Sequence, residues 1–146
     1  MDALHRLRTH IAEVPARLAT RSVTELAQKV PEKWSRKEIL GHLIDSAINN
    51  LKRFTDAQFA DGPYPIQSYS QNQLVIVNHY QDLPIEHLIT LWQSLNTQIV
   101  YVVEFLSAET LAHPVQLTTS NSAAYTLGWL IEDYVVHLEH HLKTLL

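Results

Sequence analysis

Three glycines in 146 residues, Gly41, Gly62 and Gly128, leave little material for the tight turns of a β fold. Alternating β-branched runs are also few, so the chain reads as helical. Apolar residues recur at spacings of three and four, the period of one helix face, and four main helices follow from that pattern. The first covers about Ala3 to Ala19, with Leu4, Leu7, Ile11, Val14 and Leu18 on one side. Pro15 is expected to kink it or end it early. Ser22 and Glu25 have the spacing of a capping box for a short helix that Pro31 stops. Ser35 and Glu38 repeat that spacing at the start of the second main helix. Its stripe is Leu40, Leu43, Ala47, Leu51 and Phe54, and it is expected to reach about Phe59.

Asp61-Gly62-Pro63-Tyr64-Pro65 ends that helix, and residues 61 to 83 form a long connection with one short helix near Gln71 to His79. The third main helix begins near Pro84 and continues through Leu88, Leu91, Leu95, Ile99 and Val102 to Phe105-Leu106. A polar stretch from His113-Pro114 to Ser122 precedes the fourth, which runs from about Thr126 to Leu146. No repeat, low-complexity tract or linker divides the chain. The expectation is one all-α domain over residues 1–146.

Charge and composition exclude several classes. The formal net charge is −4 and no Lys/Arg cluster occurs, so no nucleic-acid partner is expected, because phosphate binding needs a basic face. The chain has no cysteine, which removes disulfides, thiolate metal sites and cysteine nucleophiles. The longest apolar run, Ile99-Val-Tyr-Val-Val103, is far too short to span a bilayer. His5, Arg6, Arg8, His10, Glu13 and Arg17 break any signal-peptide core. A soluble, cytoplasmic protein without a membrane partner is the expectation.

Nine histidines stand out in this length. On the fourth helix, Leu127, Ile131, Tyr134, Leu138, Leu142 and Leu145 set the core direction. His141 falls on the shoulder of that stripe and His137 lies one turn earlier on the same side, whereas His140 points away. Two imidazoles one turn apart can share a metal ion. An isolated pair is nonetheless more often two solvated polar residues. A third ligand must come from another helix, and His42 is the best candidate. Periodicity aligns it with Ser46, Asn49 and Arg53, opposite Leu40, Ala47 and Leu51. That face is either solvated or the lining of a cleft, and the pattern does not decide. His5, His10, His79, His87 and His113 show no ligand spacing. Trp34, Trp92 and Trp129 read as core or interface aromatics. Glu-x-x-His pairs, H-E-x-x-H, G-x-S-x-G and the phosphate-binding glycine loops are absent.

Two motifs carry a family resemblance. Trp34-Ser35-Arg36-Lys37-Glu38-Ile39-Leu40-Gly41-His42-Leu43-Ile44-Asp45-Ser46-Ala47, continued by Asn49-Asn50 and Arg53-Phe54, resembles the second-helix signature of the DinB/YfiT-like superfamily. Asp133-Tyr134-Val135-Val136-His137-Leu138-Glu139-His140-His141 resembles its last-helix His-x-x-x-His. The resemblance implies a four-helix bundle of up-down-down-up connectivity with long crossover connections, often a homodimer. It also implies one divalent metal on His42, His137 and His141, with Asn49 and Arg53 as pocket lining. Characterised members are metal-dependent thiol S-transferases or isomerases using a low-molecular-weight thiol, and others are described as metal-dependent hydrolases. A small-molecule substrate is therefore expected.

Three neutral imidazoles leave coordination positions open, as catalytic sites do. They suit zinc, nickel, copper or iron, with zinc and nickel foremost. Asp133, one turn before His137, could orient its ring from behind, and Arg53 could clamp a substrate carboxylate. Ligand imidazoles must be neutral, so metal binding is expected to weaken as pH falls through about 6.5. The competing expectation is a non-catalytic helical dimer or binding module with a vestigial site.

Overall fold

The structure, a computed structural model, describes residues 1–117 and 125–146. Seven helices occur among them: α1 (Asp2–Ala19), α2 (Val23–Ala27), α3 (Arg36–Asp56), α4 (Gln71–Val77), α5 (Ile85–Glu104), α6 (Ala108–Leu111) and α7 (Leu127–Leu145). The four long ones, α1, α3, α5 and α7, form the bundle. Among the described residues no helix is long and apolar enough to cross a membrane.

Side-chain contacts fix the helix directions. Arg6 Nη2 donates to Glu132 at 2.8 Å, and Arg21, near the other end of α1, reaches the Leu146 carbonyl, so α1 and α7 run parallel. Arg36 donates to the Leu145 carbonyl at 3.2 Å, while the Phe54 and Tyr134 rings meet edge to face at 5.8 Å. The start of α3 therefore lies at the end of α7. Arg8 pairs with Glu104 and Gln93 donates to Ile11, which makes α5 antiparallel to α1. The connectivity is up-down-down-up, as the resemblance implied.

Both expected capping boxes form. Ser22 Oγ accepts from Glu25 N, and Ser35 Oγ accepts from Glu38 N, each at 3.1 Å, with the glutamate accepting in return from the serine amide. Each such cap is worth about 1 kcal/mol. More important here, the second fixes where α3 starts and so where His42 points. Pro15 neither ends nor breaks α1, which continues to Ala19. A proline at that position leaves the Ile11 carbonyl without its helical donor, and Gln93 Nε2 supplies a donor from α5 at 3.3 Å.

Several boundaries differ from the sequence reading, α5 ends at Glu104, and the short helix α6 was not expected. The α-helix of α3 stops at Asp56, and a 3₁₀ turn, Ala57–Phe59, completes the segment. The helix of the long connection ends at Val77. A small sheet was not anticipated. It comprises β1 (Tyr64–Ile66), β2 (Pro114–Leu117) and β3 (Tyr125–Thr126), with β1 parallel to β2 (Tyr64 opposite Val115) and β2 antiparallel to β3. It ties the two crossover regions together beside the start of α7. Of the polar stretch expected over 113–122, residues 118–122 lie outside the described residues.

One apolar core joins the four long helices, including Leu7, Leu40, Leu43, Ile44, Trp92, Ile99, Ile131 and Leu138. Helix α3 sits deepest. From Lys37 to Ala47 every residue is buried, because α5, α7 and the α4 region cover it from different sides.

Candidate metal centre

The register of α7 is set by Thr126, whose hydroxyl accepts from Trp129 N at 3.1 Å. Three turns on, His137 and His141 project towards α3, where they meet His42. The His42 and His137 Nε2 atoms are 3.2 Å apart, and those of His137 and His141 are 3.1 Å apart. One ligand atom from each of the three residues lies within 4.8 Å of the others. His42 is fully buried and the other two are half-buried. The face that periodicity left open is thus not solvated, because α7 and α4 close over it. His140 is exposed and stands outside the cluster.

The donor set fits a metal ion. Imidazole nitrogens about 2.05 Å from a tetrahedral ion lie roughly 3.3 Å from one another, close to the two separations observed. Protons serve the cluster less well. His137 Nε2 has either one proton or one lone pair to share between two neighbours, whereas a cation accepts all three lone pairs together. The Trp34 ring packs over this arrangement, 4.8 Å from the His42 ring and 6.4 Å from that of His141.

Burial, followed by the nearness of the other imidazoles, pushes His42 down to about 4. The same causes in the same order, with His140 contributing, push His141 to about 4. Burial and then His140 lower His137. Without a metal, His42 and His141 therefore stay neutral well below the ordinary imidazole value, and His137 is shifted in the same direction. Between about 6.5 and 4 the unfolded chain takes up protons that the folded chain refuses. The stability of the neutral, metal-free cluster is then present above pH 6.5 and is lost as pH falls towards 4. Denaturant melts of chelator-treated protein at half-unit steps should show that decline. A flat profile across the window would contradict it.

A group of hydrogen-bonded polar side chains packs on α3 next to His42. Asp45 is buried, and its Oδ1 accepts from Tyr80 Oη at 2.6 Å and from Asn78 Nδ2 at 3.3 Å. Tyr80 in turn lies flat against Gly41. A Cβ placed on Gly41 would come 2.2 Å from Tyr80 Cδ2 and 2.3 Å from Cγ, so only glycine permits this approach.

Two openings reach the triad. A cleft of about 230 Å³ between α3, α7 and the start of α4 is lined by Ser46, Asn50, Arg53, Tyr69, Asp133 and His137, among others. A wider groove of about 500 Å³ is lined by Trp34, Ile39, Asn72, His141 and Thr144, among others. Arg53 is held in the cleft by Asn50 Oδ1, which accepts from Nη1 at 3.4 Å, by the Gln67 carbonyl, and by the Tyr69 ring 5.5 Å beneath it.

The other expected site residues fall differently. Asn49 does not line the cleft; its side chain donates to the Asp45 carbonyl at 2.8 Å. Asn50, its neighbour, faces the cleft instead. Asp133 makes no hydrogen bond to His137 among the described residues and faces Arg53, so the expected support behind His137 is not formed. Trp34 packs on the triad and is more than a core aromatic. Ser46, Asn50 and Tyr69 were not singled out as site residues, although Ser46 shared the His42 helical face in sequence.

Comparisons with known proteins agree with this architecture. The model of the DinB superfamily matches residues 6–145. No curated protein matches the chain. Among solved structures, YfiT from Bacillus subtilis is similar, with a TM-score of 0.86 at 17% identity over 99% of this chain and 82% of that one. It is described as a probable metal-dependent hydrolase with an unusual four-helix bundle topology. The mycothiol-dependent maleylpyruvate isomerase is also similar, with a TM-score of 0.70 at 15% identity, as is a histidine-to-alanine variant of it at 0.74 and 13%. The present chain covers 97% of itself in both comparisons but spans only 58% of the isomerase.

Proposed function

The chain belongs to the DinB superfamily, and from that premise we propose that it is a metal-dependent enzyme acting on a small molecule. One divalent transition-metal ion, zinc or nickel, is held by His42, His137 and His141. The observation that carries this reading is the gathering of three imidazoles from two antiparallel helices, with one ligand nitrogen of each within 4.8 Å of the others.

When bound, such an ion supplies Lewis acidity, which eases deprotonation of water or a thiol near neutral pH. The surrounding residues do the rest. Trp34 shields one side of the triad from water. Asn50 and Tyr69 offer neutral donors within the cleft, and Arg53 offers a fixed guanidinium to a substrate carboxylate. The small cleft volume limits the ligand to a compact molecule.

Hydrolysis and thiol S-transfer both suit this centre. Access at two histidines, His137 in the cleft and His141 in the groove, favours transfer, because a thiol and an electrophile can each occupy a cavity of its own. Assays with low-molecular-weight thiols and small electrophiles, run beside ester and amide panels, separate the two. Turnover is expected to require both the thiol and the metal. Equal turnover without thiol would leave hydrolysis as the reaction. The reading extends to a homodimer, which analytical ultracentrifugation tests directly.

A further inference from the structure

Arg53 and Asp133 face each other across the cleft from antiparallel helices. Phe54 and Tyr134, the next residues on each helix, pack ring to ring and place the pair at one level. They are opposite in charge, yet they form no ion pair with each other among the described residues. That contrasts with Arg6, Arg8, Arg21, Lys29 and Lys52, each of which holds a carboxylate. Burial lowers the Arg53 pKa, and Tyr69, Tyr64 and, least of all, Asp133 only partly offset that cost. Arg53 is not free to swing out, since Asn50, Gln67 and Tyr69 fix its plane. A fixed cation and a nearby carboxylate that leave each other unpaired form a two-point receptor.

The occupant follows from charge. A simple anion on Arg53 would meet the Asp133 carboxylate, and a simple cation on Asp133 would meet the guanidinium. A zwitterion satisfies both. We propose that the cleft recognises an α-amino-acid group, its carboxylate on Arg53 and its ammonium on Asp133, as the handle of the substrate. His137 is one helical turn beyond Asp133, so the rest of the ligand is directed towards the triad. The inference rests on the cleft being the substrate's route to that triad, and it names the class of molecule that enters.

L-Norleucine is a suitable probe because its side chain cannot bind metal. Its affinity is compared by calorimetry with that of norleucinamide, N-acetyl-norleucine and hexanoate, each lacking one charge. Titrations are run on both chelator-treated and metal-loaded protein. Norleucine is expected to bind at least tenfold more tightly than each analogue in both preparations, the loss typical of one charged hydrogen-bonding partner. Arg53→Gln should bring norleucine down to the level of norleucinamide, and Arg53→Lys should retain part of the difference. Asp133→Asn, an exposed position, should bring it down to the level of the N-acetyl compound. Equal affinity for norleucine and hexanoate would overturn the proposal, as would no binding at millimolar ligand. Discrimination that survives Asp133→Asn but disappears with the metal would also overturn it, since chelation would then be the cause. Discrimination in protein that binds no metal would uphold this receptor while removing the metal-dependent reading.

Discussion

Gly41→Ala is expected to destabilise the protein by roughly 3 kcal/mol and to lower its melting temperature by about 10 °C. Two effects oppose one another at this position. Alanine is favoured over glycine inside a helix by about 1 kcal/mol. Against this, its methyl group would overlap the Tyr80 ring at distances of 2.2 and 2.3 Å. The ring has little room to yield. Its hydroxyl is bonded to buried Asp45, and the turn that delivers it contains His79 in the left-handed conformation at φ 57°. Overpacking therefore prevails. A double variant, Gly41→Ala with Tyr80→Ala, should recover part of the loss relative to the sum of the two single changes. A thermal melt of Gly41→Ala at or above the wild-type temperature would contradict the packing account.

The second large effect concerns the triad. Added zinc or nickel is expected to raise the melting temperature of the chelator-treated wild-type protein, since a ligand at one hundred times its Kd contributes about 2.7 kcal/mol. His42→Ala should abolish that rise. The residue is wholly enclosed and offers no alternative contact to the ion, so its loss leaves two half-buried imidazoles on one helix. Such a pair is a weak site by itself. The variant should also unfold somewhat more easily without metal, because it leaves a cavity beside Trp34. The discriminating readout is the metal-dependent increment, not the absolute melting point. A full increment in His42→Ala would show that the ion lies elsewhere.

Local features were readable from the sequence because local forces produce them. The Ser22–Glu25 and Ser35–Glu38 boxes need only a three-residue spacing, and both form. His137 and His141 share a face by helical geometry, and the same geometry turns His140 outward. Long-range features were not readable in this way. The polar face of α3 resembled a solvated surface, and only its coverage by α7 and α4 turns Ser46, Asp45 and His42 inward. Asn49 and Asn50 differ by one step on the helix, about 100°, which is finer than an apolar stripe can locate. The sheet joins strands of two to four residues, β1 and β2 about fifty positions apart, too short to leave a pattern. Pro15 fails to break α1 because its orphaned carbonyl finds a donor on α5, a partner that no local rule supplies.

One ion shared by three histidines is the centre of the proposed function, and elemental analysis of purified protein tests it most directly. Native protein should contain close to one equivalent of a transition metal per chain. His137→Ala and His141→Ala should contain almost none, while His140→Ala, altered beside the cluster but outside it, should retain the full equivalent. Absence of metal from the native protein after reconstitution, or equal loss in all three variants, would contradict the three-histidine centre and favour a non-catalytic bundle.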